Sequence, residues 1–210
     1  MMVMIEMQPK SHMWSALSVL TVFALAGCGG VAEKPVSASA EDPAAVLRES
    51  GYTEQAEMLA DGEVTVAEIE KAGALMQQCF VDAGHELTLE GWNPVDGVTY
   101  LYLAEPAGGE ATDDFHAAYD DCTRRYLQTL ADHYRATVDA VIVPELMAEV
   151  RQCLESEGFT YTGEPVNQYD LVDSTLVEGG EAPSRKQVDD CVISEATAMY
   201  PDIVTISISW

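Results

Sequence analysis

Cys79-Phe80-Val81-Asp82-Ala83-Gly84-His85-Glu86-Leu87-Thr88 is the stretch from which the fold can be read. Its skeleton, Cys79-x₄-Gly84-x₃-Thr88, returns 74 residues later as Cys153-x₄-Gly158-x₃-Thr162. Asp120-Asp121-Cys122 returns 69 residues later as Asp189-Asp190-Cys191. Order and scale agree to within a loop's length, so the chain reads as a tandem duplication. Each unit is a helix carrying Cys, a glycine stop, a strand, a variable loop and a second helix carrying Cys.

Working outward, Thr65-Val66-Ala67-Glu68 has the form of a capping box. The helix it starts has Ile69, Ala72, Met76, Cys79, Phe80 and Ala83 on one side at helical spacing. Gly84 stops it as the residue after the C-cap. Residues 85–90 alternate as a strand, 91–97 are turn-rich, and 98–103 form a second strand, which makes a hairpin. Thr112, followed by Asp113 and Asp114, caps a long helix whose stripe runs Phe115, Tyr119, Cys122, Tyr126, Leu130, Tyr134, Val138 and Val141. Pro144 restarts a helix to Glu157, with Leu146, Met147, Val150, Cys153 and Leu154 inward. A short strand begins at Phe159, residues 163–183 give no assignable period, and a helix covers 184–199. Residues 203–210 alternate cleanly as a C-terminal strand with Val204, Ile206, Ile208 and Trp210 on one face. Upstream, Asp42-Pro43 opens a helix to about Ala60, with a break at Gly51. The expected class is α+β: mainly helical, with a short hairpin, a C-terminal strand and two pseudo-repeats at about 61–141 and 142–210.

Residues 13–26 are free of charge and apolar. Fourteen helical residues span about 21 Å, short of a bilayer core of about 30 Å, so they read as a signal-peptide core. Leu25-Ala26-Gly27-Cys28 follows at once and resembles the lipobox of bacterial lipoproteins. That resemblance implies cleavage before Cys28, a diacylglyceryl group on its thiol and acylation such as palmitate on the new amine. The leader is then 1–27. Residues 28–41 are the lipidated cysteine and a flexible tether of roughly 20 Å, and 42–210 one acidic domain. Met1 to Glu6 holds no base, so Met7 is the better start. The resemblance also implies a cell-membrane location on the extracytoplasmic face. No later segment is long and apolar enough to span. The Cys-x₄-Gly and downstream Cys layout, over about 61–193, resembles a loose class of uncharacterised actinobacterial secreted and lipid-anchored proteins. That class brings no activity with it.

Of 210 residues, 10 are Lys or Arg and 36 Asp or Glu, a formal net charge of −26. Only Lys10 and Glu6 precede Cys28, so the whole excess belongs to the exported part. Phosphate backbones bind through Lys and Arg, which excludes nucleic acid as a natural partner. The 48% hydrophobic content is that of a globular chain.

With Cys28 set aside, Cys79, Cys122, Cys153 and Cys191 remain. Four cysteines in an exported chain imply disulfides, with three connectivities open. The repeat favours Cys79–Cys122 and Cys153–Cys191, because each unit then holds its own staple. There is no Cys-x-x-Cys and no zinc spacing. Asp61-Gly62 to Glu68 matches half of an EF-hand loop, but Leu59 falls on a ligand position and the capping box accounts for Thr65 and Glu68. Asp113, His116 and Asp120 share a helix side that could hold a cation, although acids in a first turn also suit the helix dipole. Trp92, Tyr100 and Tyr102 could form an aromatic platform for a ligand; a core role competes with it. No nucleophile elbow, His-Glu-x-x-His, P-loop or dinucleotide fingerprint is present. The expectation is a non-catalytic binding module of the cell envelope with no cofactor and no metal. Its partners are the membrane through the anchor, and basic exported proteins or a small ligand. The alternative is an envelope hydrolase or accessory subunit using surface carboxylates.

Overall fold

The structure is a computed structural model that describes residues 42–208 and Trp210. The signal-peptide, lipobox and tether readings lie outside the described residues, as does Ser209. In chain order the elements are α1 (Pro43–Glu49), α2 (Thr53–Met58), α3 (Val66–Asp82), β1 (Glu86–Trp92), β2 (Tyr100–Glu105), α4 (Asp113–Tyr126), α5 (Gln128–Thr137), α6 (Pro144–Ser156), α7 (Gln168–Leu171) and α8 (Arg185–Met199). The fold is mainly helical α+β with one antiparallel hairpin. Among the described residues no helix is long and apolar enough to cross a membrane.

The two stretches that share the Cys-x₄-Gly spacing are alike in several respects. The first core gathers Ile69, Ala72, Met76, Phe80, Leu87, Phe115, Cys122 and Leu127. The second gathers Leu146, Val150, Leu154, Tyr161, Val188, Cys191, Val192 and Ala196. Ala72, Met76 and Phe80 occupy α3 as Leu146, Val150 and Leu154 occupy α6, and all six are fully buried. Both helices stop in the same way. Gly84 and Gly158 adopt φ of 88° and 100°, a conformation costly for any residue with a Cβ. His85 N–H then reaches the Phe80 carbonyl, and Phe159 N–H the Leu154 carbonyl, each at 3.1 Å. This is the double-bonded C-terminal cap that glycine permits. Cys79 is joined to Cys122 and Cys153 to Cys191, with Cα atoms 5.7 and 5.8 Å apart. Each bond ties the first helix of its stretch to a later one: α3 to α4, and α6 to α8.

The hairpin is fuller in the first unit. β1 pairs with β2 from Glu86↔Glu105 to Trp92↔Tyr100, with a register shift between Leu89 and Gly91. At the matching place in the second unit the strand expected from Phe159 shrinks to one bridge, Tyr161↔Val177. Residues 163–183 supply α7 and two short 3₁₀ turns, Ser174–Leu176 and Glu178–Gly180.

The break expected at Gly51 is present and parts α1 from α2 (φ 82°). Two further expectations are corrected. The long helix from Thr112 breaks at Leu127 and ends at Thr137, leaving Val138 and Val141 exposed. The break is held by Gln55, buried in α2. Its amide donates to the Arg124 carbonyl at 2.7 Å, and its oxygen accepts from Thr129 N–H at 3.1 Å and Leu130 N–H at 3.4 Å. The other correction is the C-terminal strand: residues 203–208 join no ladder. Glu90 accepts from the Val204 and Thr205 N–H groups and the Thr205 hydroxyl, and Asn93 donates to the Ser207 carbonyl at 2.9 Å. Side chains take the bonds that a neighbouring strand would have made.

Candidate functional site

The Asn93-Pro94-Val95-Asp96-Gly97 turn sits where the two cores meet. Asp96 is buried, and its carboxylate accepts from Val98 N–H, Thr99 N–H, the Thr99 hydroxyl and the Asn93 amide at 2.7–3.2 Å. Four donors satisfy a charge that would otherwise be costly to bury. Asp96 is therefore committed to structure. The turn sends Val95 into the second core. Its Asp96 and Pro94 carbonyls accept from Val141 N–H at 2.8 Å and Val143 N–H at 3.0 Å.

Trp92 and Tyr100 meet, Tyr102 pairs with Tyr119 instead, and all three pack against the first core. The Trp92 and Tyr100 rings meet edge-on with centroids 5.3 Å apart, and Trp92 lies equally close to Tyr134. The Trp92 indole N–H donates to Glu70 at 3.2 Å. Tyr100 covers Gly73 so closely that a Cβ there would fall 2.7 Å from its ring. Tyr102 and Tyr119 share a hydrogen bond at 3.0 Å. Burial pushes the Tyr102 hydroxyl well above its ordinary range, with Tyr119 adding to the effect. Burial, then the charge of Glu70, moves Tyr100 the same way. These rings are engaged with one another and with the core.

Asp113, His116 and Asp120 are exposed on α4, and their side chains converge on no common point among the described residues. The group that does converge, within 4.8 Å, is Cys79, Asp121 and Cys122. Its two sulfurs form the first disulfide, so they are not thiolate ligands. The capping box at Thr65 and Glu68 is formed, and Asp61 accepts from Glu63 N–H at 3.1 Å. Those oxygens have local work already.

Arg151 is a residue that sequence reasoning missed. It lies on α6, four residues after buried Met147 and beside buried Val150. Its Nε is buried with no hydrogen-bond partner among the described residues. The three ion pairs among the described residues use Arg125, Arg135 and Lys186 instead. The Arg151 side chain stands between two recesses. One, of about 250 Å³, is lined by Val141, Ile142, Pro144, Met147, Pro165 and Val166, with Glu164 in its wall. The other, of about 360 Å³, is lined by Ala148, Gln152 and Glu155. Ile142 and Met147 are buried at the floor, whereas Val141 and Val166 are 40% and 48% exposed at the rim. Beneath the helix Tyr161 donates to the Leu171 carbonyl at 2.6 Å. Burial pushes its hydroxyl up to about 12 against the opposing charge of Arg151. No local signal marks Arg151: a single arginine in an amphipathic helix is ordinarily solvated, and residues 163–183, which complete the recess, show no pattern.

Comparison of the chain with protein families, with curated proteins and with solved structures finds no match.

Proposed function

We propose that the chain is an exported, lipid-anchored binding module of the cell envelope, tethered through Cys28 and non-catalytic. The observation that carries this reading is the pair of disulfides, one closing each half of the repeat. Such bonds form and persist where thiols are oxidised, outside the cytoplasm. They also use every cysteine after position 28, which leaves Cys28 to the lipid. A single chain holds a protein weakly, but two or three hold it stably. The acidic domain then stands off an anionic headgroup layer. A small ligand taken in the Arg151 recess suits a rigid scaffold on a short leash.

The test is expression of the full chain with an alkyne-tagged palmitate. The wild type should take label and partition into membranes, and Cys28→Ser should lose both and appear unlabelled in the soluble fraction. An unlabelled wild type, or a Cys28→Ser variant that keeps label and membrane partition, contradicts the anchor.

A further inference from the structure

We infer that the recess beside Arg151 binds a free α-amino acid with an aliphatic side chain. The inference deepens the binding-module reading and rests on that part of it alone. It is independent of the lipid anchor.

Three features of the recess match the three parts of such a ligand. Arg151 lines the recess with a guanidinium that makes no ion pair among the described residues and whose fork suits a carboxylate bidentately. Glu164, in the wall of the same recess, supplies an acceptor of the opposite sign for an ammonium group. Between them lies an apolar surface floored by Ile142 and Met147 and bordered by Pro144 and Val166. A recess of about 250 Å³ lies below the range of about 300–1,000 Å³ typical of drug-sized ligands. It therefore suits one small molecule with one branched side chain.

Charge narrows the class further. The chain carries a net −26, and Glu155 and Glu164 both flank Arg151. A phosphate dianion would meet repulsion from the whole molecule and from these two neighbours. A simple carboxylate would meet less, and would leave Glu164 unused. A zwitterion brings no net charge to the field and answers both side chains. The remaining part of the ligand, its aliphatic arm, leaves water for the apolar floor.

The experiment is calorimetric titration of the oxidised full chain with L-leucine, N-acetyl-L-leucine, L-leucinamide and glycine. Leucine should bind. Loss of the ammonium in N-acetyl-leucine, of the carboxylate in leucinamide, or of the side chain in glycine should each weaken binding about tenfold or more. Arg151→Met should remove leucine binding, and Glu164→Gln should weaken it by a similar tenfold step. Glu164 is exposed, so its variant tests the site without disturbing the core. If Arg151→Met does not fold, the analogue series on the wild type still decides. No heat from leucine overturns the proposal. So does leucinamide or N-acetyl-leucine binding as tightly as leucine, or leucine affinity unchanged in Arg151→Met. A lost anchor in Cys28→Ser with leucine binding intact would separate this inference from the location.

Discussion

Gln55 shows how one side chain decides the shape of a helical pair. It is wholly buried, and both ends of its amide are spent on backbone groups freed where α4 gives way to α5. Gln55→Leu keeps the volume but leaves one carbonyl and two N–H groups without their partner. A buried unsatisfied group costs about 1–3 kcal/mol, so a loss of about 2–4 kcal/mol is expected in urea unfolding. Gly73 is a second such position. Gly73→Ala gains about 1 kcal/mol of helix propensity but drives a methyl into the Tyr100 ring, and overpacking costs about 1–3 kcal/mol. Net destabilisation is expected in the same assay, with Tyr100→Phe having no power to relieve it because the ring itself is the obstacle. Neither role was legible in the sequence. Gln55 reads there as a polar residue of an exposed helix side, and its burial follows only from where α5 packs. Arg151 is the same case: its surroundings come from residues 163–183, far along the chain.

Elements were legible where local chemistry alone sets them. The Thr65 capping box and the Gly84 and Gly158 stops are local, and the structure forms all of them. So is the hairpin, although its connection lies two residues further along than expected, at 93–99, where the Asn93 and Asp96 side chains hold the turn. The alternation of Val204, Ile206, Ile208 and Trp210 is as regular as a strand's, yet a strand needs a neighbour, and here the side chains of Glu90 and Asn93 stand in for one. Beyond it, the Trp210 indole donates to Asp189 at 2.9 Å, and Arg185 lies 4.8 Å over its ring. Glu90 in β1 thus ties the tail to the hairpin. Glu90→Gln replaces an acceptor oxygen by a donor that faces N–H groups. Amide hydrogen exchange at Val204 and Thr205 should accelerate about tenfold or more, with protection in α3 unchanged. Equal loss of protection in both places would show that the tail does not open separately.

At the scale of the molecule, two units share a plan and differ in what fills it. Each staple closes a loop of 43 or 38 residues, worth about 4 kcal/mol in the chain-entropy model as an upper figure. Cys79→Ala with Cys122→Ala should lower the unfolding midpoint, and the matching pair at Cys153 and Cys191 should do so to a similar extent. A large effect of one and none of the other would deny the equivalence of the units. Alkaline pH offers an independent handle. Tyr100, Tyr102, Tyr161 and Tyr200 all have folded values raised by burial first of all. Below about pH 10 folded and unfolded chains both hold these protons. Above it the unfolded chain ionises first, so stability falls as pH rises toward the folded values. The tyrosinate absorbance of this group should appear together with unfolding.

The most direct measurement of the central claim is mass spectrometry of the full-length protein expressed in its membrane fraction and digested without reductant. The expected spectrum contains an acylated peptide beginning at Cys28, one cystine peptide joining Cys79 to Cys122 and one joining Cys153 to Cys191. A bare Cys28 still preceded by residues 1–27, or a peptide joining Cys79 to Cys153, would contradict it.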